Sequence, residues 1–280
     1  MTRLEDLNQA SKLAFAHMKP GALTNHVMTA AEYKSDIAAG TLYAHTWPGG
    51  LIFLRKREGH HQLSYFVTDP QIPLDCKLPE DTFTEIAYKP SGAEIAAKGI
   101  EYWMQVGLKP IFERIRLTRQ ATPEKNNDNP ETPHVGRDAQ AAWASSKRAF
   151  CVCGQPQDAQ TIHNLLKSSF SHLTGHLPDY HELKTDITEN NILCMKDPQN
   201  TIIGLIRSTP RKASIEIRQL ALREDMRGRG LAHHLMNAFI EKYGNNKITV
   251  WMQDGYAPAL KSYTAAGFVP DGWRSSVLTF

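Results

Sequence analysis

Leu220-Ala-Leu-Arg-Glu-Asp-Met-Arg-Gly-Arg-Gly-Leu-Ala-His-His-Leu-Met236 is the stretch that decides how this chain reads. It begins as an apolar strand end and passes through a short charged turn. The glycine-bearing loop Arg227-Gly-Arg-Gly-Leu-Ala232 then opens into a helix, with Leu231, Leu235, Ala238 and Phe239 at i, i+4, i+7 and i+8. Glycine lets the backbone approach a ligand closely and adopt φ values that other residues avoid. A helix start just behind it offers N–H groups without intrahelical partners and the positive end of a dipole. With Arg227 and Arg229 adding charge, the stretch reads as an anion site of the kind a pyrophosphate fills.

Working outward, the strand before the loop spans 214–222, and its alternation puts Glu216 on one face with Arg218 and Leu220. A charged residue in mid-strand is rare unless paired or functional. Glu216 is therefore either a proton acceptor or half of an ion pair with a neighbouring arginine such as Arg207. Downstream come a strand at 247–252, a helix at 257–266 with Pro258 near its start and Gly267 as its stop, and a last strand or strand pair at 268–280, broken at Asp271-Gly272. Upstream, a strand at 150–153 precedes a helix capped by Asp158, with Ile162, Leu165, Leu166 and Phe170 as its apolar face. A loop rich in histidine, proline and aromatic residues follows at 171–181. A hairpin of 192–196 and 201–208 then turns at Asp197-Pro-Gln-Asn200. His172 and His176 have i, i+4 spacing. Gly175 and Pro178 argue against a helix there, so pocket or surface histidines are favoured over a metal site.

This order does not suit a dinucleotide fold, because the loop is not G-x-G-x-x-G, and a Walker A loop would end in Gly-Lys-Ser/Thr. Arg227-Gly-Arg-Gly-Leu-Ala232 instead fits Gln/Arg-x-x-Gly-x-Gly/Ala at every defined position, with Leu220-Ala-Leu222 as the hydrophobic strand end before it. Ala259-Leu-Lys-Ser-Tyr-Thr-Ala-Ala-Gly-Phe268 fits Ala-x-x-x-Tyr-x-x-x-Gly-Phe. On these two motifs, residues 149–280 resemble the GNAT acyltransferase superfamily. The resemblance implies an α/β fold (α+β, mixed sheet) in which two central strands splay apart around acetyl-CoA, the acyl donor. It implies that the N–H groups of Arg227, Gly228, Arg229, Gly230, Leu231 and Ala232 hold the pyrophosphate. The strand end Leu220, Ala221 and Leu222 would lie along the pantetheine arm, with the backbone of Leu220 and Leu222 pairing to it. Tyr263 takes the position of the acid that protonates the departing thiolate, a task suited to a phenol protonated at neutral pH. Glu216 takes that of the glutamate some members use to deprotonate the amine. Tyr256 departs from the pattern, standing where the family usually has an asparagine that bonds the cofactor arm.

Residues 1–120 read as a mixed α/β unit: helices at 4–18 and from Thr29, strands at 41–47, 50–55, 62–67 and 82–88, a helix at 92–105 and a strand at 111–117. Tyr102-Trp-Met-Gln-Val-Gly-Leu108 parallels Ser262-Tyr-Thr-Ala-Ala-Gly-Phe268 and sets Trp103 where Tyr263 falls. The segment where a phosphate loop belongs, 69–79, instead carries three prolines and no glycine. The expected organisation is a degenerate GNAT-like or α/β support domain at 1–120, a polar, proline-bearing linker at 121–137, and a catalytic GNAT domain at 138–280.

The totals agree with a globular chain. Of 280 residues, 41% are hydrophobic and 22% charged, and a net charge of +3 is too small to call for nucleic acid. No apolar run approaches the ~18 residues of a membrane span, and the N-terminus lacks a secretory apolar region, so a cytoplasmic location is expected. Cys76, Cys151, Cys153 and Cys194 have neither zinc-ribbon nor redox spacing and read as buried free thiols. Trp251 and Trp273 are expected in the core. The expected activity is acetyl transfer to a primary amine of a small molecule, amino acid or peptide, with a homodimer left open. The competing class is a non-catalytic CoA-binding or scaffolding protein.

Overall fold

Leu51 and Phe53 pack to one side of their strand and Ile52 and Leu54 to the other, which divides the N-terminal core into two layers. In the computed structural model, the described residues are all but Val27, 123–148 and 172–174. They form two units, Met1–Ile115 with Gly272–Phe280, and Arg116–Ser171 with Gly175–Asp271.

The first unit contains β1 (Thr2–Arg3), α1 (Leu7–His17), β2 (Leu23–Thr24), α2 (Ala30–Ala38), β3 (Leu42–Trp47), β4 (Gly50–Arg57), β5 (His60–Val67), β6 (Thr82–Tyr88), α3 (Ala93–Val106) and the first part of β7 (Lys109–Arg119). Its strand order runs β1-β3-β4-β5-β6, and then to residues from β13 (Val269–Thr279). Neighbours pair antiparallel except β5 and β6, which are parallel at His61, Gln62 and Leu63. Ile52, Leu54, Leu63, Tyr65 and Ile86 bury one face with Tyr102 and Trp103 of α3, while Leu51, Phe53 and Phe66 meet Ala10, Ala14 and Tyr33 of α1 and α2.

The second unit contains β8 (Phe150–Cys153), α4 (Ala159–Ser169), α5 (Tyr180–Thr188), β9 (Ile192–Lys196), β10 (Ile202–Arg211), β11 (Ser214–Leu222), α6 (Leu231–Tyr243), β12 (Ile248–Gln253) and α7 (Ala257–Ala265). The order runs from the end of β7 through β12-β11-β10-β9-β8, with β11 and β12 parallel and β8 to β11 antiparallel. Ile162, Leu165 and Leu166 of α4 and Leu183 and Ile187 of α5 cover one face over Ile192, Leu205 and Ala221. From α6, Leu235, Met236 and Phe239 are buried.

The two units repeat one local design. Thr29 caps α2 by accepting from the Glu32 N–H, and Asp179 caps α5 by accepting from the Glu182 N–H. The next turn carries Lys34, Asp36 and Ile37 in one unit and Lys184, Asp186 and Ile187 in the other, and both helices end at a positive-φ residue, Gly40 and Asn190. An arginine then closes each network, half-buried Arg55 in the first unit and buried Arg207 in the second. Arg55 donates Nε to Asp36 at 2.6 Å and Nη1 to Gln62 at 3.4 Å, with Glu32 at 3.9 Å. Arg207 donates Nε to Asp186 at 2.5 Å, Nη1 to Gln219 at 3.2 Å and Nη2 to Glu182 at 2.6 Å. Such charges survive burial because each is paired and hydrogen-bonded. Helices α3 and α7 also end alike, Leu108 N–H bonding Trp103 O and Phe268 N–H bonding Tyr263 O, over Gly107 and Gly267 at positive φ.

His26 gives the first unit a pH dependence. Its ring lies against Phe53 and Phe66, with Nε2 at 2.8 Å from the Tyr33 hydroxyl. Burial pushes its pKa from 6.5 down to about 4. Between these values the unfolded chain binds the extra proton, so this contribution to stability is complete above pH 6.5 and is lost as pH falls toward 4. In His26→Phe, the fall in melting temperature between pH 7 and pH 4.5 is expected to be shallower than in the parent. An identical slope in thermal melts would remove His26 as the cause.

Several expectations change. Residues 171–181 are not one loop: Tyr180 and His181 open α5, a helix whose buried residues are Leu183, Asp186 and Ile187, too few for a clear periodic signal. Asp158 stands before α4, but its carboxylate accepts from Gln155 N–H and Lys196 Nζ, not from an α4 N–H. Residues 269–279 form one continuous strand in spite of Gly272. Its end, Gly272–Phe280, packs in the first unit and residues 116–119 pack in the second, so the units cross the expected 138–280 boundary. Edge hydrogen bonding, not chain order, selects a strand's neighbours. Trp251 and Trp273 are half-buried, beneath the Arg116 guanidinium and the Lys89 ammonium respectively. The four thiols are free, but only Cys194 is fully buried. Of the expected linker, 123–137 lies outside the described residues. No helix among the described residues is long and apolar enough to cross a membrane.

Candidate functional site

Strands β11 and β12 pair only at Ile215–Ile248, Glu216–Thr249 and Ile217–Val250, and then part. Beyond Ile217, β11 stays paired with β10 on its other edge as far as Leu222. The Arg223 N–H donates to Ile203 O on that β10 side. Because successive residues turn their backbone groups to opposite edges, Leu222 and Leu220 direct theirs toward the opening. An extended chain bearing amides can add there as a strand would. Leu220 is half-buried and Ala221 and Leu222 are buried, so the strand end is held firmly, and on its open edge Leu222 O accepts from Arg227 Nε at 3.2 Å.

At the mouth of this opening a short turn, Glu224–Met226, leads into the glycine loop. Gly228 and Gly230 have φ of +75° and +77°, and a Cβ built at either meets nothing within 4 Å. Backbone conformation, not crowding, calls for glycine at both. Gly230 is the residue before α6, and its carbonyl accepts from the His233 and His234 N–H groups. The N–H groups of residues 228 to 232 donate to no backbone carbonyl among the described residues. The α6 dipole and the exposed Arg229 make their neighbourhood attractive to an anion. Arg227, also exposed, bonds Leu222 O through Nε at 3.2 Å and so ties loop to strand end. Arg223 is held by Asp225 at 2.6 and 2.9 Å, which directs its charge away from any free phosphate role.

Tyr263 lies on α7, 7% exposed, its ring edge-on to Phe268 at 5.5 Å. Burial raises its pKa, so it keeps its proton throughout the neutral range. Tyr256 precedes the first turn of α7 and is exposed. Glu216 has both carboxylate oxygens engaged: Arg211 Nε donates to one at 2.8 Å and Arg218 Nη1 to the other at 2.7 Å. Burial alone would push its pKa up, but Arg218 and Arg211 outweigh it, and the net shift is downward. This is the ion-pair alternative, with other arginines than the one expected. Arg207 is committed to Asp186 and Glu182.

The residues missed from sequence are the buried Arg207, Asp186 and Gln219 with the exposed Glu182 that closes their network. Gln219 lies on β11, next to the opening. Arg207 holds its Oε1, which leaves Nε2 to donate to Gly175 O at 2.7 Å and His176 O at 3.0 Å. The segment after α4 is thereby pinned to β11, with His176 at φ +48°. The legible signal was Glu32-x-Lys34-x-Asp36-Ile37 recurring as Glu182-x-Lys184-x-Asp186-Ile187. Of the two histidines weighed as metal ligands, His172 lies outside the described residues. His163 and His181 sit on α4 and α5, with the His163 ring edge-on to Tyr180.

Comparison with known proteins agrees with this geometry. Residues 159–268 match the acetyltransferase (GNAT) family. Among solved structures, a GNAT-family acetyltransferase from Colwellia psychrerythraea aligns over 100% of this chain and 98% of its own, at TM-score 0.54 and 8% identity. A GCN5-related N-acetyltransferase from Sphaerobacter thermophilus aligns over 82% and 76%, at 0.53 and 12%. A GCN5-related glucosamine N-acetyltransferase region of a fungal multi-domain β-N-acetylglucosaminidase aligns over 82% of this chain and 31% of its own, at 0.54 and 13%. At these identities the likeness is one of fold. A search of curated proteins finds no match.

Proposed function

We propose, from the premise that residues 159–268 form a GNAT acetyltransferase domain, that the second unit moves an acetyl group from acetyl-CoA to a primary amine by direct attack. The observation that carries this reading is the parting of β11 and β12 beside a loop of undirected N–H groups at the start of α6. The residues present fit the donor. Leu220 and Leu222 offer strand-edge groups to the amides of the pantetheine arm, and the backbone from Arg227 to Ala232, with Arg229, accommodates a pyrophosphate. Ala221 anchors the strand end, and Tyr256, exposed just before α7, is assigned to the cofactor arm.

Acetyl-CoA supplies the activated thioester. Attack by the amine nitrogen on its carbonyl carbon forms the C–N bond and breaks the C–S bond; the thiolate takes a proton from the Tyr263 hydroxyl, the nitrogen sheds its extra proton to solvent, and solvent restores the phenol. A buried phenol gives up that proton only to a thiolate in equally dry surroundings. The same unit illustrates how strongly such surroundings act, since burial pushes the Cys194 thiol up to about 12.

Glu216 fits a different role from that of general base. A carboxylate held ionised by two guanidinium groups takes up a proton weakly, so its part is to fix Arg211 and Arg218 on the β10–β11 hairpin. Its lowered pKa contributes stability that is present above about 4.5 and lost as pH falls below it. Glu216→Gln is expected to lower kcat by less than about tenfold and leave the acidic limb of the rate profile in place. An acidic limb displaced in steady-state assays of that variant would restore Glu216 as the base.

The reading is tested by assaying free CoA thiol across amines, amino acids, peptides and amino sugars, alongside thermal melts with acetyl-CoA. Stabilisation by acetyl-CoA without turnover on any acceptor would establish the non-catalytic CoA-binding alternative.

A further inference from the structure

The parallel strands β5 and β6 of the first unit part just as β11 and β12 do, their pairing ending at Leu63–Thr84. Here the opening is filled. Strand β2 enters it and pairs antiparallel with β5, Leu23 opposite Val67 and Thr24 opposite Phe66. The Asn25 side chain sits at the fork. Its NH2 group lies 3.2 Å from Leu63 O on β5, and 2.8 and 3.0 Å from Thr84 Oγ1 and Glu85 O on β6. Its Oδ1 accepts from the Tyr65 N–H at 3.0 Å, and Thr24 Oγ1 donates to Tyr65 O at 2.7 Å.

Position matters as much as occupancy. Gln62 and Gln219 are equivalent, each receiving Nη1 of the arginine that closes its own unit's network. Counting from them, Leu63 matches Leu220 and Tyr65 matches Leu222, the two residues whose backbone faces the second unit's opening. Asn25 thus presents a carboxamide, with one acceptor and one donor side, to the backbone positions that amides of a pantetheine arm would meet. The first unit also has no helix between β5 and β6 among the described residues, whereas the second has α6.

We infer that segment 23–25 is a built-in occupant of the first unit's cofactor opening, with Asn25 as the surrogate amide, and that each chain takes up one acyl-CoA. The count of one rests on the function proposed above; the occupancy does not. Residue-resolved amide exchange on the full chain separates the two. The Tyr65 amide is expected to be protected with or without acetyl-CoA. In Asn25→Ala its exchange should quicken by about fivefold or more, as expected for one lost hydrogen bond, while residues 228–232 stay unchanged. Asn25→Asp, which keeps the acceptor but loses the donors, is expected to release β6 and give faster exchange around Glu85. Titration of the parent should saturate at one acetyl-CoA per chain. A Tyr65 amide exchanging at the rate of an unpaired one in the parent, or unchanged in Asn25→Ala, would overturn the inference, as would a second acetyl-CoA whose binding alters Tyr65. If no acetyl-CoA binds at all, the proposed function fails while the Tyr65 measurements still decide the occupancy.

Discussion

Gly230→Val is expected to abolish the stabilisation of the chain by acetyl-CoA while leaving the fold intact. At φ +77° a β-branched residue is strained by roughly 1–2 kcal/mol, which lowers the melting temperature modestly. Its Cβ meets nothing within 4 Å, so no steric clash adds to that cost. The loop relieves the strain by turning the peptide groups on either side, and these carry N–H groups that the proposed pyrophosphate needs. Losing two charge-assisted hydrogen bonds, each about 1.5–3 kcal/mol, weakens affinity by a hundredfold or more. Acetyl-CoA at 100 times its Kd should stabilise the parent by about 2.7 kcal/mol, a shift of several degrees that the variant should lack. A full thermal shift in Gly230→Val would mean the cofactor lies elsewhere.

Tyr263→Phe is expected to reduce kcat by about a hundredfold or more, within the range of a lost general acid, with little change in KM for acetyl-CoA. The ring's contact with Phe268 is kept, so the melting temperature should move by no more than a degree or two. This separates a chemical from a packing role: a tyrosine that only fills space loses almost nothing on becoming phenylalanine. Steady-state kinetics with a good acceptor gives the answer, and a kcat within threefold of the parent would remove Tyr263 from the chemistry. An acyl donor with a more acidic leaving thiol offers a second check. If the phenol protonates the thiolate, thioesters of low-pKa thiols should suffer least from the substitution.

Where the sequence was legible, the reason was local. The helix expected from Thr29 forms, its start set by a capping box between Thr29 and Glu32 that needs only four consecutive residues. Strands 82–88, 150–153 and 214–222 agree with their expected bounds. The glycine loop was visible because its requirement for positive φ is met within the loop itself. Helix α5 was missed because most of its residues are polar and its stabilising contacts come from Arg207, on a strand 21 residues beyond Asp186. Strand β2 was missed for the same reason, since two residues carry no period and only the parting of β5 and β6 makes a place for them.

By itself the sequence determined the class of fold, the position of the loop, and the tyrosine and glycine that end α7. These depend on backbone angles, capping and spacing within a dozen residues. Tertiary structure alone decided the rest. Arg211 and Arg218 converge on Glu216 from two strands of a hairpin and engage both of its carboxylate oxygens. Asn25 reaches residues about 40 to 60 positions away and fills one opening, while in the other no strand enters beside Leu220 and Leu222 among the described residues and only Arg227 reaches Leu222 O. Both outcomes turn on which charges and amides are brought within bonding distance by packing, and no local pattern encodes that.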